Sequence, residues 1–251
     1  MIAIISDLHL GEPTGRFALP RRLAGRHDTT HFERAMEIVE EVNRLDVDAV
    51  VILGDGTDRT MPKELEELVR VIMAIRHKVI FVPGNHDHTD RWRQGLGYSP
   101  KGHRMLRSAL ERCGLPVKYP HAVDFGAYRV LCLDSSAHGE KGTLFARGRI
   151  GERQLAWLGM QLADQRPTVV AMHHYPERVN PTLAVEDASQ LMKVCARDHV
   201  TIVNGHRHRE GQYPRTRKRP RVLTHGKCVE TGRIRILDVV SGEFWWSEVV
   251  W

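Results

Sequence analysis

The stretch VPGNHDH at residues 82–88 ends an apolar run, VIFV at residues 79–82, in a turn filled with polar groups. Pro83, Gly84 and Asn85 favour turns, so one interpretation is a plain connection. Two histidines and an aspartate in the same turn are also groups that bind metal ions or transfer protons. The stretch therefore predicts a buried strand that ends at a candidate site.

Apolar runs of the same kind occur at residues 2–6, 48–53 and 168–172. They are apolar at successive positions and not at alternate ones, which indicates strands covered on both faces. Patterns typical of amphipathic helices lie between and after these runs, at residues 30–45, 61–75, 152–162 and 183–195. Alternating strands and helices predict βαβ units with right-handed crossovers.

Two local signals mark where helices begin. Thr30 and Glu33 have the spacing of a capping box, in which each side chain bonds to the other residue's backbone N–H. Pro62 suits the first turn of the second helix, because a first-turn residue needs no backbone N–H donor. We therefore expect helices to begin close to residues 31 and 62.

The pattern changes beyond residue 200 to short strand candidates separated by turns, at residues 201–203, 212–213, 221–224, 233–240 and 244–250. Ser241 and Gly242 form the tip of a predicted hairpin between the last two. These features together predict an α/β fold, a two-sheet mixed β-sandwich flanked by helices. We expect a single domain that spans residues 1–251.

The composition is that of an ordinary globular protein, with 251 residues, 41% hydrophobic and 27% charged. Lysine and arginine number 37 against 31 acidic residues, and the net charge of +6 is compatible with anionic substrates. The four cysteines form no C-x-x-C pair, so we expect buried thiols and neither a zinc ribbon nor a disulfide framework. With no secretory leader and no run of about 18 apolar residues, we expect a cytoplasmic protein without a membrane partner.

Metal-binding and proton-transferring residues follow five of the predicted strands, as Asp7-Leu8-His9, Gly54-Asp55, Gly84-Asn85-His86-Asp87, His173-His174 and Gly205-His206-Arg207-His208. Ligands of open α/β sheets gather at the carboxyl ends of the strands. Burying so many carboxylates and imidazoles together costs several kcal/mol unless a cation compensates. The pattern therefore predicts a metal site at this edge of the sheet.

This ordered set of motifs resembles the calcineurin-like metallophosphoesterase superfamily, whose members hydrolyse phosphate esters with two metal ions. The motifs extend from Asp7 to His208. The resemblance implies the four-layer fold of that superfamily, a two-sheet sandwich between helices. It also implies a metal-dependent phosphoesterase.

The resemblance implies a ligand set for each ion: Asp7, His9, Asp55 and His208 for the first, and Asp55, Asn85, His173 and His206 for the second. Asp55 would bridge the two ions. Mixed imidazole and carboxylate ligands suit transition metals, so we expect Mn²⁺ first, with Fe, Zn or Ni as alternatives. Two ions about 3.5 to 4 Å apart would share a water, lower its pKa and position the ester phosphate.

The same resemblance gives His86 the role of protonating the departing alkoxide, which suits an imidazole at neutral pH. Asp58 and Asp87 are candidates to orient His86, with simple turn capping as the alternative. Arg59 is a candidate phosphate contact or a partner of Asp58. The role of each of these three neighbours depends on what its side chain contacts.

Strand alternation lets only one of His173 and His174 face the ligands, and the resemblance favours His173. We expect His88 to be a solvated loop residue, with a substrate contact as the alternative. Gly56 stands where relatives carry a larger apolar residue, which predicts looser packing beside Asp55.

Two basic loops bear on the substrate. Residues 10–28 carry Arg16, Arg21 and Arg22, and residues 215–221 read RTRKRPR. Both would form a positive rim that makes nucleic acid a candidate partner, or they would be solvated loops. Within residues 89–121, Trp92 and Tyr98 would stack on a base or pack conventionally.

These features leave three hypotheses for function. The first is a phosphodiesterase acting on a nucleotide or nucleic acid. The second is a phosphomonoesterase acting on a small metabolite or a phosphoprotein, and the third is a non-catalytic scaffold, which the intact ligand set argues against. Trp245 and Trp246 face opposite sides of the last strand, so a homodimer through an exposed tryptophan is a candidate assembly.

Overall fold

The computed structural model describes residues 1–11, 30–90, 98–136, 146–176 and 184–251. Within these ranges the strands are β1 (Ile2–Ile5), β2 (Ala49–Ile52), β3 (Lys78–Phe81), β4 (His121–Asp124), β5 (Arg129–Cys132), β6 (Thr168–Ala171), β7 (Val200–Asn204), β8 (Gly211–Tyr213), β9 (Arg221–Thr224), β10 (Arg233–Leu237) and β11 (Phe244–Glu248). The helices are α1 (His31–Val42), α2 (Pro62–Ala74), α3 (Pro100–Arg112), α4 (Gly151–Gln161), α5 (Ala188–Cys195) and α6 (Cys228–Thr231). A short 3₁₀ turn spans His86–His88.

The strands form two mixed sheets, which confirms the predicted sandwich. The first has the order β11-β10-β1-β2-β3, and the second has the order β4-β5-β6-β7-β9-β8. Strands β1, β2 and β3 are parallel, as are β5, β6, β7 and β9, while the outer strands pair antiparallel. The carboxyl ends of the parallel strands of each sheet therefore meet at one edge of that sheet.

Burial on both faces explains the continuous apolar runs. Ile4, Val51 and Ile80 stand in register across three strands and pack into the core between the sheets. Their neighbours Ala3 and Val50 point the other way, into a second core beneath α1 and α2. A third core lies between the second sheet and helices α4 and α5.

The two predicted helix starts are confirmed. The Thr30 hydroxyl accepts from the Glu33 N–H at 3.2 Å, and the Glu33 carboxylate accepts from the Thr30 N–H at 2.6 Å. Pro62 is the first residue of α2. The last two strands form the predicted hairpin, with Gly242 in a left-handed conformation in its turn.

One predicted helix begins later than expected, at Ala188 and not at residue 183. The Val185 N–H donates to the Tyr175 carbonyl at 3.1 Å, so this part of the chain pairs with a neighbouring loop. The Asp187 carboxylate accepts from the N–H groups of Ile150 and Gly151 at 2.9 and 2.7 Å. These long-range bonds override the helical pattern before Ala188.

The predicted loose packing at Gly56 is wrong. A Cβ atom added there would lie 2.9 Å from Leu68 Cδ1 and 3.3 Å from Phe81 Cε2. The neighbouring side chains already fill the space that a larger residue would occupy, so the segment beside Asp55 is tightly packed.

None of the helices in the described ranges combines the length and apolar character needed to cross a bilayer.

Candidate metal centre

The carboxyl ends of β1 and β2 are joined by backbone hydrogen bonds that bring their polar residues together. The Asp7 N–H donates to the Gly54 carbonyl at 3.1 Å, and the His9 N–H donates to the Asp55 carbonyl at 2.8 Å. The loops that follow β1 and β2 are therefore paired like the strands themselves. This pairing brings the side chains of Asp7, His9 and Asp55 toward the same place.

Unusual backbone conformations concentrate at this edge. Among the described residues, six that are not glycine have positive φ, and five of them are predicted metal ligands: Asp7 (55°), His9 (43°), Asp55 (50°), His206 (73°) and His208 (52°). Such conformations cost free energy and persist where the surrounding structure fixes them, commonly at functional sites. The strain therefore coincides with the predicted site.

The residues predicted for the first ion come together. Candidate ligand atoms of Asp7, His9, Asp55 and His208 all lie within 4.8 Å of one another. His9 Nε2 is 3.1 Å from His208 Nε2 and 3.6 Å from Asp55 Oδ2. His208 Nε2 is 3.5 Å from Asp7 Oδ1.

A second group shares Asp55 with the first. Asp55, His173 and His206 form another cluster that can hold a metal ion. His173 Nε2 is 3.2 Å from Asp55 Oδ2 and 3.1 Å from His206 Nδ1. The His173 Nδ1 atom lies 2.6 Å from the Leu53 carbonyl, so Nδ1 carries the proton and Nε2 is the available ligand atom. Asp55 thus belongs to both clusters, and its role as a bridge stays a prediction.

The adjacent histidine has different contacts. His174 is fully buried, and its Nδ1 atom lies 2.9 Å from the Ser135 hydroxyl. His173 is therefore the one of the pair that contacts Asp55, in line with the prediction. For Asn85, the His86 N–H donates to Asp55 Oδ1 at 3.0 Å and holds this turn against the shared carboxylate. Asn85 as a ligand stays a prediction.

Close backbone approach explains the glycines of two motifs. A Cβ atom at Gly84 would overlap Asp55 Oδ1 and lie 2.5 Å from the Asp55 backbone nitrogen. A Cβ atom at Gly205 would overlap the Ser6 hydroxyl and lie 2.6 Å from Asp7 Oδ2. Only glycine leaves both carboxylates in their observed positions.

Buried charges shift the pKa values of the site. Burial would raise the pKa of Asp55, but the charges of His173 and His86 lower it well below its ordinary value. Burial would lower the pKa of His173, but Asp55 raises it to about 9. Burial and the neighbouring His173 lower the pKa of His206 to about 3. The carboxylates therefore draw positive charge into the cluster.

The donor set fits divalent metal ions. His206 is buried, and its Nε2 atom has no hydrogen-bond partner among the described residues. Two pairs of imidazole nitrogens, His9 with His208 and His173 with His206, lie 3.1 Å apart around buried carboxylate oxygens. Nitrogen and oxygen donors gathered in this way suit transition-metal ions.

The His86 imidazole lies beside this cluster. Its Nδ1 atom is 2.8 Å from the Asp58 carbonyl and 3.4 Å from Asp58 Oδ1. Burial would lower the pKa of His86, but Asp55 and Asp58 raise it to about 9. The same Asp58 carboxylate is 3.7 Å from His9 Nδ1. Asp58 therefore contacts both the predicted proton donor and a predicted metal ligand.

The proposed contact between Asp87 and His86 is not present. The buried Asp87 carboxylate accepts from the N–H groups of Thr57 and Gly84 at 3.0 and 2.9 Å. It also lies 3.2 Å from the Thr57 hydroxyl. These three donors surround the carboxylate, so Asp87 has the turn-capping role given as its alternative.

Arg59 was predicted either to pair with Asp58 or to bind phosphate, and the structure shows the first of these contacts. Its Nε atom pairs with Asp58 Oδ2 at 3.0 Å, which is the structural alternative. Its backbone N–H donates to Glu64 at 2.7 Å. Phosphate binding by Arg59 stays a prediction.

The prediction that His88 is solvated is wrong. His88 is buried, with Nε2 3.4 Å from Asp134 Oδ2 and Nδ1 3.1 Å from His103 Nδ1. Asp134 follows β5, a strand missing from the sequence interpretation. The run VLCL at residues 130–133, ended by Asp134, has the same pattern as the other site strands and is the signal that identifies it.

The basic loop at residues 215–221 does not border the site. It joins β8 to β9 beyond the pair of Tyr213 and Val222, at the amino end of β9. Strand β9 is parallel to β7, whose carboxyl end leads to His206. Arg215 pairs with Asp198, just before β7. The loop and the metal ligands thus lie at opposite ends of the second sheet.

Arg16, Arg21, Arg22 and Trp92 lie outside the described residues. Their predicted contacts with substrate stay predictions.

A two-sheet α/β sandwich whose strand ends gather two buried aspartates and four histidines defines a candidate metal-dependent hydrolase. The family model described as calcineurin-like phosphoesterase matches residues 1–210. The chain therefore belongs to the calcineurin-like phosphoesterase family, as the motifs predicted.

Curated relatives carry phosphodiesterase names. The chain is 32% identical over 184 residues to the glycerophosphodiester phosphodiesterase GpdQ of Enterobacter lignolyticus (strain SCF1), a match that covers 68% of this chain and 60% of the relative. It is 27% identical over 217 residues to the 3′,5′-cyclic adenosine monophosphate phosphodiesterase CpdA of Escherichia coli (strain K12), covering 82% of this chain and 68% of the relative. The chain thus spans less than two thirds of the Enterobacter protein.

A solved structure supports the fold. Purple acid phosphatase PPD1 from yellow lupin (Lupinus luteus) seeds aligns with a TM-score of 0.59 at 14% identity, covering 90% of this chain and 43% of the lupin chain. At this identity the likeness concerns the arrangement of sheets and helices alone.

Proposed function

We propose that the chain hydrolyses phosphodiesters with two divalent metal ions. The observation that carries this proposal is the Asp55 carboxylate, which belongs to both candidate metal clusters while His86 stands beside it. The phosphodiesterase names of the relatives favour a diester over a monoester. The ions would be held by Asp7, His9, Asp55, Asn85, His173, His206 and His208.

When bound, divalent ions lower the pKa of a water and neutralise charge on the phosphate oxygens. The protein's own contribution to leaving-group departure is His86. Its Nδ1–H is held by the Asp58 carbonyl, which leaves Nε2 to carry the proton that the departing alkoxide takes up. The nearby carboxylates keep this imidazole protonated at neutral pH, because they raise its pKa to about 9.

The proposal extends to the metal and to the class of substrate. Mn²⁺ is the ion to test first. A small phosphodiester is favoured over nucleic acid because the loop at residues 215–221 lies far from the site. Both sheets contribute side chains to one cluster, which supports a single domain.

Trp245 is 43% exposed on the edge strand β11 and remains the candidate dimer contact. A cytoplasmic location stays a prediction from the sequence.

The experiment compares bis-p-nitrophenyl phosphate with p-nitrophenyl phosphate as substrates for metal-stripped protein to which Mn²⁺ is returned. We expect Mn²⁺-dependent hydrolysis with higher kcat/KM for the diester. Higher kcat/KM for the monoester would favour the phosphomonoesterase hypothesis. Absence of turnover on both compounds and on glycerophosphodiesters would contradict the proposal.

A further inference from the structure

A cavity of about 400 Å³ lies beyond the carboxyl end of β5. Its wall includes Asp134 at the end of β5, Tyr119 before β4, and Arg149, Arg153 and Gln154 at the start of α4. The volume lies within the range of about 300–1,000 Å³ typical of small-molecule sites. None of these residues belongs to the predicted metal or proton-transfer machinery.

Short contacts connect this cavity to the metal ligands. The Arg149 N–H donates to the Ser135 carbonyl at 2.9 Å. The Ser135 hydroxyl accepts from the His173 N–H at 3.2 Å. On another wall, Asp134 Oδ2 is 3.4 Å from His88 Nε2, in the 3₁₀ turn that begins at His86. The cavity therefore lies at the same edge of the second sheet as His173, beside the turn that carries His86.

Two guanidinium groups of the cavity wall have no carboxylate partner among the described residues. Neither Arg149 nor Arg153 forms an ion pair with any described residue, and Arg153 donates to the Tyr119 carbonyl at 2.7 Å. Elsewhere, arginines pair with acids, as Arg112 does with Glu66 at 2.6 Å. Within the described part of the chain, the two cations of the cavity wall therefore have no carboxylate at ion-pair distance.

Two carboxylates also line the cavity, and neither forms an ion pair with Arg149 or Arg153. Asp134 accepts from the Ser136 N–H at 2.9 Å and faces His88. Glu152 is exposed on the first turn of α4. His103, which contacts His88, adds a further titratable nitrogen to the wall. The wall formed by Arg149 and Arg153 is therefore suited to an anion.

We propose that this cavity binds the alcohol portion of the phosphodiester substrate, and that this alcohol carries a second phosphate held by Arg149 and Arg153. The proposal rests on the proposed function, which places the scissile phosphate at the metal cluster. Guanidinium groups bind phosphate through paired N–H donors, and such charge-assisted bonds are among the strongest in proteins. The cavity thus narrows the substrate class from small phosphodiesters to those with a second phosphate.

The test measures binding to the Mn²⁺-loaded chain by calorimetry. The probes are adenosine 3′,5′-bisphosphate and the two matching monophosphates, adenosine 5′-monophosphate and adenosine 3′-monophosphate. We expect the bisphosphate to bind at least about tenfold more tightly than either monophosphate, because the second phosphate gains charge-assisted hydrogen bonds. Equal affinities in the wild-type chain would overturn the proposal.

Variants test whether the preference for the bisphosphate depends on Arg149 and Arg153. In Arg149→Ala/Arg153→Ala we expect the preference for the bisphosphate to fall below about twofold, since the lost bonds are those to the second phosphate. Arg149→Ala alone, at an exposed side chain, lowers the preference without removing the Arg153 bond to Tyr119. Arg217→Ala/Lys218→Ala makes the same charge change in the distant basic loop and should retain the full preference.

The outcomes separate this inference from the proposed function. A preference that survives in Arg149→Ala/Arg153→Ala, or is lost equally in Arg217→Ala/Lys218→Ala, would overturn the cavity assignment. Hydrolysis of bis-p-nitrophenyl phosphate without any bisphosphate preference would contradict the cavity alone. A bisphosphate preference that depends on Arg149 and Arg153, in a chain without diesterase activity, would support the cavity and contradict the proposed function.

Discussion

At the scale of single residues, Asp58 is placed to control the protonation of His86. Its carbonyl lies 2.8 Å and its carboxylate 3.4 Å from His86 Nδ1. We expect Asp58→Asn to lower kcat by about 10- to 100-fold, since it weakens the hold on a general acid. Because the carboxylate raises the pKa of His86, its loss should move the alkaline limb of the pH profile of kcat/KM to lower pH.

Asp87→Asn is the matched control, since the same chemical change falls on the neighbour of His86. The Asp87 carboxylate accepts from the Thr57 and Gly84 N–H groups. In Asp87→Asn, the amide NH₂ group would face a backbone N–H group where a carboxylate oxygen now accepts a hydrogen bond. We therefore expect the free energy of unfolding to fall by about 1–3 kcal/mol. Its alkaline limb should stay in place. A shift of that limb in Asp87→Asn, or none in Asp58→Asn, would contradict the assignment.

His225 should make the fold sensitive to acid. The side chain is fully buried, and burial lowers its pKa from 6.5 to about 4. Folding therefore favours the neutral imidazole: its full contribution is present above pH 6.5 and is lost as the pH falls toward 4. The loss reaches about 2–3 kcal/mol by linkage.

The measurement is urea unfolding of the wild type and His225→Gln between pH 7.5 and pH 4.5. We expect the free energy of unfolding of the wild type to fall more steeply with acid than that of the variant. Parallel pH dependences would mean that the imidazole accepts a proton in the folded state at little cost.

At the scale of elements, close approach between strand ends fixes the shared carboxylate. In Gly84→Ala the new Cβ overlaps Asp55 Oδ1, so the carboxylate must move. We expect kcat to fall by about 100-fold, the cost of a displacement near 1 Å at a reacting centre. The measurement is diester turnover together with Mn²⁺ affinity.

Gly159→Ala in α4 is the control for this glycine. A Cβ atom there meets nothing within 4 Å, and alanine favours helix, so stability should rise slightly and turnover should stay unchanged. Normal turnover and Mn²⁺ affinity in Gly84→Ala would show that the strand ends tolerate a side chain.

Elements with local signals could be predicted from the sequence. The apolar runs of β1, β2, β3 and β6, the Thr30 capping box and Pro62 all report on neighbours close in the chain. The start of α5 could not be predicted, because the Asp187 carboxylate bonds to Ile150, 37 residues away. Strand β5 carries the same local signal, an apolar run at residues 130–133 that ends at Asp134, so it could be predicted as well.

Some residues of the candidate site could likewise be predicted from local motifs, and others depend on tertiary contacts. The motifs placed Asp7, Asp55 and His173 at strand ends, and pairing of parallel strands then brings them together. Burial of His88 depends on Asp134 and His103, which come from separate elements. A sequence pattern carries no information on such tertiary contacts.

At the scale of the whole molecule, the metal cluster and the basic loop at residues 215–221 lie at opposite ends of the second sheet. The carboxyl ends of the parallel strands hold the metal cluster, while the loop at residues 215–221 lies at the amino end of β9. The net charge could be predicted from the sequence. The position of the basic loop could not, because it depends on the direction of strands β8 and β9. The basic loop therefore does not form the predicted rim around the site.

We propose above all that Asp55 joins two divalent ions in one site. The most direct measurement is titration of the metal-stripped chain with Mn²⁺, followed by electron paramagnetic resonance. We expect two Mn²⁺ ions per chain with an exchange-coupled spectrum, and loss of that coupling in Asp55→Asn, whose amide is a weaker bridge between cations. Binding of one ion or none by the wild type, or coupling that survives in Asp55→Asn, would contradict this proposal.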